Sequence, residues 1–423
     1  MHTPKAMPAL YHRTLARLAD RLGLPWLVHR LYRFIVFDRS NGLANPILLI
    51  IPQASNRWRR NRAKPYSMNE KVIVLHQYGA PSHYRALEYH VKSNGGRIVY
   101  REFTIWKPLR KSLRTLSIRS FIKCILNITN LVHLFFTKNK TVVLGMAPKD
   151  ERIFFLRHIL KRHRIHYHTS WPYWDKGFFP FDNPGKITER QWKLFLERDI
   201  ASIVCATHEC KRTLQLTYHI KAPIYVVGHS INPDYFYPAE TISDRKHVKY
   251  LYVGCFTENK GIHEIFKIID NLPKETSEFT FVGKGDLESE IVSFCTTRPN
   301  CRHIRFVDSE KALGDIYRDH DILLLPTQQI EGFGMVIIEA MGCGVIPVTT
   351  DQVGPCEIIT NNVNGYIYPK TSFPQNVCCL HDKIMNRKVD IHQTRLHCIR
   401  RSKDYHLDQV AKIWMQALSG SSN

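Results

Sequence analysis

The stretch DILLLPTQQIEGFGMVIIEAMGCGVIPVTT, residues 321–350, decides the fold of this chain. Two continuous apolar runs, residues 321–326 and 345–350, predict strands that are buried on both faces. Between them, a glycine-rich turn leads into a helix predicted from Gly334 to Met341. Strand, turn, helix and strand in this order form a βαβ unit with parallel strands.

The same alternation of strands and helices extends through most of the chain. Further strands are predicted at residues 71–78, 141–146, 164–169, 202–207, 250–254 and 279–283. The pattern predicts an α/β protein with two Rossmann-like, doubly wound domains that face a cleft. We expect a basic amphipathic N-terminal extension at 1–67, an N-terminal Rossmann-like domain at 68–219 and a second Rossmann-like domain at 220–395. A C-terminal helix in residues 396–423 is expected to return to the N-terminal domain.

Composition excludes several classes of protein. Eleven scattered cysteines without a C-x-x-C pair argue against a disulfide framework and a zinc ribbon, and favour a reducing cytoplasm. The N-terminal residues carry arginines where a signal peptide needs an apolar segment, so we expect no secretion signal. Basic residues and aromatics occur together, but no RNP-like, KH-like or zinc-knuckle pattern accompanies them. We therefore expect no nucleic-acid partner.

The positive charge is concentrated at one end of the chain. Residues 1–140 carry a net charge of +20, whereas residues 220–370 carry −6. Trp106–Thr137 and Leu10–Phe37 both show the pattern of a basic amphipathic helix. We expect these basic residues to dock an otherwise cytoplasmic protein on the anionic inner face of a membrane. A helix packed on the core with a solvated basic face is the alternative.

No segment is expected to cross the bilayer. The longest apolar run, Cys124–Thr137, has fourteen residues and includes two asparagines. A spanning helix needs about 20 predominantly apolar residues.

Two carboxylates frame the glycine-rich turn of the deciding stretch. Glu331 lies in the turn, and Glu339 lies about one turn inside the following helix. Both can point at a ligand above the helix N-terminus, where glycines allow close approach of backbone N–H groups. Glu339 is suited to hold a ribose diol, and Glu331 can contact a sugar. A solvated Glu339 is the alternative, although its neighbours in the helix are apolar.

A second turn, Gly254-Cys-Phe-Thr-Glu-Asn-Lys260-Gly261, follows another predicted strand. A lysine beside a helix N-terminus can hold a diphosphate, because it supplies a point charge to add to the backbone amides. An exposed lysine without a ligand is the alternative for Lys260.

Together these motifs resemble the donor half of the retaining GT-B glycosyltransferases of the "group 1" family, glycosyltransferase family four. The resemblance rests on Gly254 to Gly261, on E-G-F-G-x4-E-A-M-x-C-G from Glu331, on Gly354-Pro355-Cys356-Glu357 and on Asn364-Gly365. It covers about residues 220–370. A weaker likeness extends into the N-terminal half.

The resemblance implies a role for each matching residue. Glu331 would contact the donor sugar, Glu339 the ribose hydroxyls and Lys260 the diphosphate. The donor-binding set also includes Gly332, Phe333 and Gly334, whose backbone would run alongside the sugar. Gly254 and Gly79 complete the set, and Gly79 would lie near the phosphates.

The N-terminal half carries one further motif and two departures. Tyr167-His168-Thr169-Ser170 is similar to the family's F-H-T-S, which implies that His168 reaches the donor sugar near the reaction centre. The family's double glycine is reduced here to Gly79-Ala80-Pro81. Cys255 stands where many members have an arginine on the diphosphate.

The resemblance implies a hexosyltransferase that uses a nucleoside diphosphate sugar with retention and without a metal ion or other cofactor. The acceptor would be lipid-linked or a polysaccharide, in surface glycan biosynthesis. Trp171, Tyr173 and Trp174 form an aromatic loop that is either an acceptor platform or domain packing. Alternatives are a GT-B epimerase or phosphorylase, or a basic scaffold with a degenerate GT-B fold.

Overall fold

The structure is a computed structural model that describes residues 70–77, 81–175, 186–240, 247–329 and 331–420. The expected N-terminal extension, residues 1–67, lies outside these ranges, and so does the expected amphipathic helix at Leu10–Phe37. Gly79 and the double-glycine position beside it also lie outside them.

The first half of the described chain forms a six-stranded parallel sheet. Its strands are β1 Lys71–His76, β2 Arg97–Glu102, β3 Thr141–Gly145, β4 Arg164–Thr169, β5 Ser202–Cys205 and β6 Ile224–Val226, in the order β2-β1-β3-β4-β5-β6. The helices are α1 Arg85–Ser93, α2 Trp106–Thr115, α3 Ile118–Phe136, α4 Ile153–Leu160, α5 Lys186–Leu194 and α6 His208–Thr217. Buried strand residues such as Val142 and Val143 point to opposite faces of the sheet and lie in different apolar clusters. Helices therefore cover both faces of the sheet.

The second half forms another six-stranded parallel sheet. Its strands are β7 Val248–Cys255, β8 Ser277–Lys284, β9 Cys301–Arg305, β10 Ile322–Leu325, β11 Ile346–Thr350 and β12 Tyr366–Tyr368, in the order β12-β11-β10-β7-β8-β9. The helices are α7 Ile262–Asn271, α8 Glu288–Thr296, α9 Glu310–Arg318, α10 Met335–Gly342, α11 Val353–Ile358, α12 Phe373–Met385 and α13 Ile391–Ser402. The last helix of the described chain, α14 Leu407–Ser419, belongs to the first half. This strand order is that of the Rossmann fold. The prediction of two doubly wound parallel sheets is confirmed.

The chain passes between the two halves twice. After β6 it enters the second half, and after α13 it returns through a short turn, Lys403–Tyr405, to α14. The two crossings touch, since the Ile231 backbone N–H donates to Tyr405 O over 2.9 Å. Helix α14 then packs on the first sheet, where Trp414 is buried beside Tyr84 of the loop after β1.

Neither crossing lies at the expected domain limit. Strand β6 pairs with β5, so the first sheet extends past residue 219. The expected limit at residue 395 falls inside α13, where Arg395 forms a buried ion pair with Asp321 of the second half. A three-residue strand and a continuous helix leave no compositional signal for these limits.

The expected amphipathic helix at Trp106–Thr137 is two helices, α2 and α3. Leu116 adopts a left-handed conformation with φ 49°, and Ser117 caps α3 by accepting a hydrogen bond from the Ser120 backbone N–H. The face of α3 that packs on the protein consists of Ser120, Cys124, Asn127, Leu131 and Leu134.

Helix α3 begins before the apolar run considered in the sequence and is therefore longer than that run. Among the described residues, it is the one helix whose length and apolar composition would suffice to cross a membrane. Helices of soluble proteins meet the same criterion, so this finding alone identifies no spanning segment.

Replacing Trp414 with alanine should lower the free energy of unfolding by about 3–5 kcal/mol, because the change removes a fully buried indole. Chemical denaturation measures this loss. Trp106→Ala, at a tryptophan that is 45% exposed, is the matched control and should change the free energy by less than about 1 kcal/mol. Equal losses in the two variants would contradict the packing of α14 described here.

Candidate active site

The predicted site residues that the structure describes come from the carboxyl ends of strands in both sheets. His168 lies at the end of β4, and Lys260 lies in the short helical turn after β7. Glu331 follows β10 and precedes α10. Loops at this edge of a parallel sheet form the usual binding crevice.

The loop before α10 depends on two of its glycines. Gly334 has φ 93° and begins α10, and a side chain there would also approach Ile337 Cδ1 to 2.9 Å. At Gly332, an added Cβ would lie 2.8 Å from the backbone oxygen of Ser170. Ser170 follows β4, so the loop of the second half packs closely against the backbone of the first half.

Lys260 and Glu331 form an ion pair in which Lys260 Nζ donates to Glu331 Oε2 over 2.6 Å. Both side chains are partly exposed. The pair joins the loop after β7 to the loop after β10, which are adjacent strands. The structure thus brings together the residues predicted to hold the diphosphate and the sugar.

Glu339 is buried in α10, and the alternative of a solvated residue is wrong. Its Oε2 accepts a hydrogen bond from the Tyr317 hydroxyl over 3.1 Å. Burial raises the pKa of Glu339 above its ordinary value, while the bond from Tyr317 and the charge of Arg85 oppose that rise. A buried carboxylate with a single neutral donor is well placed to accept further hydrogen bonds from a diol.

Two polar contacts join the halves around this site. Arg85, at the start of α1, forms an ion pair with Glu310 of α9. Glu357 of the second half accepts hydrogen bonds from the backbone N–H groups of His208 and Glu209, at 2.7 and 2.8 Å. Glu357 therefore satisfies the exposed donors at the N-terminus of α6. Arg85 places a cation from the first half near Glu339.

The predicted His168 belongs to a cluster of four histidines. The His83 ring stacks on the His168 ring at 5.0 Å, and its centroid lies 5.5 Å from that of His76 and 5.6 Å from that of His229. Burial lowers the pKa of His83 to about 3 and that of His229 to about 4. It also lowers the pKa of His168 well below its ordinary value. Neutral imidazoles therefore line this part of the cleft at pH 7.

His83 was missed in the sequence. Its Nε2 is buried without a hydrogen-bond partner among the described residues, and so is the hydroxyl of Ser230, beside His229. Buried polar atoms rarely stay unpaired. No motif marks His83, because its role depends on tertiary contacts with β4 and with the first crossing.

Two other predicted donor residues are placed differently from Glu331. Phe333 is buried and packs its ring edge-on against His229 at 4.8 Å, so its side chain supports the loop. Gly254 lies near the end of β7, paired with Gly283 of β8. Cys255 next to it is exposed.

The aromatic loop is largely domain packing. Trp174 is buried in the core against Trp192 and Tyr167, and it offers no free face for a sugar, which corrects the acceptor assignment. Tyr173 is also buried. Trp171 is partly exposed and donates through Nε1 to Tyr173 O over 3.1 Å.

Within the ranges that the structure describes, no three His, Cys, Asp or Glu side chains are arranged to hold a metal ion. In the Asp319-His320-Asp321 segment, Asp321 and His320 form hydrogen bonds with residues of neighbouring strands. Asp321 accepts from the Lys249 backbone N–H over 2.8 Å, and His320 Nε2 lies 2.8 Å from Thr280 Oγ1.

Residues 236–401 match the family model of the group 1 glycosyl transferases. This match contains Lys260, Glu331 and Glu339, and it agrees with the resemblance noted in the sequence.

Curated relatives include two glycosyltransferases of bacterial polysaccharide biosynthesis. The amylovoran biosynthesis glycosyltransferase AmsD of Erwinia amylovora is 24% identical over 235 residues, which cover 54% of this chain and 65% of the relative. The capsular polysaccharide biosynthesis glycosyltransferase CapM of Staphylococcus aureus is 30% identical over 128 residues, 29% of this chain and 33% of the relative. The matches with these two relatives thus span about one third to two thirds of their length.

Among solved structures, HepE of Anabaena in complex with UDP superposes with a TM-score of 0.61 at 13% identity. The match covers 83% of this chain and 100% of HepE. At this identity the likeness shows the fold alone. The chain has the GT-B fold.

Acid should destabilise the protein through the histidine cluster. Unfolded histidines take up protons near pH 6.5, whereas His83 and His229 remain neutral in the native state down to about pH 4. Unfolding therefore binds protons between about pH 6.5 and 4, and stability falls as the pH falls through this window.

His229→Phe removes one group that binds a proton on unfolding. The unfolding free energy of the variant should therefore change less steeply with pH, by up to about 1.4 kcal/mol per pH unit. Denaturant titrations between pH 7 and 4.5 measure the slope for the variant and the wild type. Identical slopes would show that His229 titrates in the native state as it does in the unfolded state, which would contradict its lowered pKa.

Proposed function

We propose that this chain is a metal-independent, retaining glycosyltransferase that moves a hexose from a nucleoside diphosphate sugar to a lipid-linked or polysaccharide acceptor. One observation carries the proposal: the Lys260–Glu331 ion pair and the buried Glu339 flank the N-terminus of α10 at one edge of the second sheet. This arrangement offers a cation for a diphosphate, a carboxylate for a ribose and another for a sugar.

In the proposed donor complex, Lys260 exchanges its partner. The diphosphate replaces Glu331 as the anion beside Nζ, and Glu331 becomes available to accept hydrogen bonds from sugar hydroxyls. The exchange keeps the Lys260 ammonium paired, and hydrogen bonds from the sugar hydroxyls stabilise the carboxylate of Glu331 that it releases. Glu339 accepts hydrogen bonds from the ribose, whose hydroxyls stabilise its buried negative charge.

Charge develops on the departing nucleoside diphosphate, and the protein stabilises it by fixed donors. Lys260 supplies a full positive charge, and the N-termini of α7 and α10 supply backbone N–H groups. Cys255 contributes no cation where many members of the family have an arginine. Arg85 of the opposite wall, now paired with Glu310, supplies a further positive charge near the nucleotide.

The first half supplies the histidine wall. His168 and His83 are neutral, and each can donate one hydrogen bond and accept another. In this proposal they orient the hexose and the acceptor hydroxyl above the departing diphosphate, and attack takes place on the face that the diphosphate leaves.

The related proteins support a role in glycan assembly. AmsD and CapM are named for amylovoran and capsular polysaccharide biosynthesis, and the HepE structure holds UDP. We place the reaction in the cytoplasm, at the inner face of a membrane where a lipid-linked acceptor is presented.

Glu339→Ala should abolish binding of the preferred nucleotide, because it removes the ribose acceptor while leaving the loop before α10 intact. Isothermal titration calorimetry with UDP, GDP, ADP and their common sugars measures the effect on purified protein. We expect selective binding of one nucleotide by the wild type and at least a 100-fold weaker affinity in the variant.

Glu275→Ala is the matched control, since Glu275 is an exposed glutamate at the amino end of β8, the opposite edge of the sheet. It should bind as the wild type does. If Glu339→Ala binds with unchanged affinity, the donor site is assigned wrongly. If the wild type binds none of the nucleotides, the degenerate scaffold becomes the better account.

Lys260→Met should lower the rate of donor hydrolysis by about 100-fold, since the loss of one preorganised charge at a developing anion costs about this much. Release of the nucleoside diphosphate in a coupled assay measures the rate. Lys274→Met, in the loop before β8, is the control and should leave the rate unchanged. A variant at position 260 with the wild-type rate would remove Lys260 from the reaction.

A further inference from the structure

Helix α3 presents a row of large apolar side chains to solvent. They are Ile118, Ile122, Ile125, Leu126, Val132, Phe135 and Phe136. The exposed fraction reaches 75% at Ile118 and 77% at Phe136. We call this surface, together with the basic residues of α2 and α3 described below, the α3 face. A contiguous apolar surface of this kind marks a contact with another apolar phase.

The opposite side of α3 is fixed to the first half of the protein. Asn127 Nδ2 donates to Thr104 O over 2.8 Å, and His163 Nε2 lies 2.8 Å from Leu134 O. At the border between the two sides, Lys123 pairs with Glu102 at 2.8 Å while its side chain stays half exposed. A transmembrane position would break these contacts and place Asn127 in hydrocarbon, so the helix is suited to lie along a surface.

Helix α4 extends the apolar area beside α3. Phe154 and Phe155 of α4 are exposed. Between the two helices lies a cavity of about 210 Å³, lined by apolar side chains that include Ile105, Ile128, Val132, Phe135, Phe136 and Ile159. Such a cavity favours hydrocarbon over water.

The charge of the same region indicates which apolar partner the α3 face contacts. Helices α2 and α3 contain six basic residues and no Asp or Glu, namely Lys107, Arg110, Lys111, Arg114, Arg119 and Lys123. All six are exposed. Cations beside inserted isoleucine and phenylalanine side chains complement an anionic headgroup layer over acyl chains. A second copy of this chain would bring the same cations against each other across a two-fold axis, which disfavours self-association.

We propose that the α3 face docks on an anionic lipid bilayer, with the apolar side chains of α3 and α4 inserted between acyl chains and the basic residues at the headgroups. Insertion adds an apolar component to the electrostatic attraction that the charge distribution predicts. The docking does not depend on the proposed transfer reaction. It would place the histidine wall, which belongs to the same half of the protein, next to lipid-linked acceptors.

Vesicle flotation of the full chain tests the proposal. Ile122→Ser/Ile125→Ser/Phe136→Ser should reduce partitioning onto vesicles of phosphatidylcholine and phosphatidylglycerol at least tenfold, at both 0.1 M and 0.5 M salt, since salt leaves apolar insertion in place. The matched control is Leu216→Ser/Val292→Ser/Leu396→Ser, which removes three exposed apolar side chains from α6, α8 and α13. It should partition like the wild type.

Charge and insertion separate in a second variant. Arg110→Gln/Lys111→Gln/Arg114→Gln should weaken partitioning at 0.1 M salt and have little effect at 0.5 M salt, where screening has already removed the electrostatic attraction. Wild-type protein should bind vesicles of phosphatidylcholine alone more weakly than anionic vesicles.

Three results would overturn the proposal. The apolar triple variant could bind vesicles like the wild type, or the wild type could bind no vesicles. Alternatively, light scattering could show a wild-type dimer that becomes monomeric in the apolar variant, which would make the α3 face an interface between copies. Far-UV circular dichroism of the same samples reports folding, and nucleotide binding is measured separately. Vesicle binding without any nucleotide binding would refute the transferase and leave the docking intact.

Discussion

The direction of the strands is the constraint on which the remaining structure depends. Each sheet is entirely parallel, so every strand returns through a crossover and all carboxyl ends lie at one edge. His168 follows this rule in the first sheet, and Lys260 and Glu331 follow it in the second. The contact of Ile231 with Tyr405 and the return through α14 hold the two halves together, and Gly332 packs against Ser170.

Electrostatics distinguishes the two walls of the cleft. The second half contributes carboxylates and one lysine. Burial destabilises the ionised form of Glu339 unless hydrogen-bond donors stabilise it. The first half contributes neutral histidines and Arg85. In the proposed donor complex, an anionic nucleotide would meet one cation from each half, Lys260 and Arg85.

Much of the fold follows from the sequence, because short continuous apolar runs such as residues 321–326, bounded by turns, predict strands buried on both faces. The sequence also identifies Glu331 and Glu339 as candidate donor residues, since they stand at fixed offsets from a glycine-rich turn. Tertiary contacts decide the rest. The pairing of Lys260 with Glu331 and the unpaired Nε2 of His83 arise between distant segments.

Local patterns also mislead where both sides of an element are apolar. In α3, large apolar side chains such as Ile122 and Ile125 face solvent, while Ser120 and Asn127 pack inward. Periodicity identifies two rows here but does not say which one meets the protein. Trp174 shows the reverse case, an aromatic in a loop that fills the core.

The central claim is that a nucleoside diphosphate binds between the two walls and takes Lys260 from Glu331. A crystal structure with the nucleotide that binds most tightly tests it most directly. The account predicts the diphosphate within hydrogen-bond distance of Lys260 Nζ, the ribose hydroxyls on Glu339 and the Lys260–Glu331 pair broken. A nucleotide bound elsewhere, or bound with that pair intact, would contradict it.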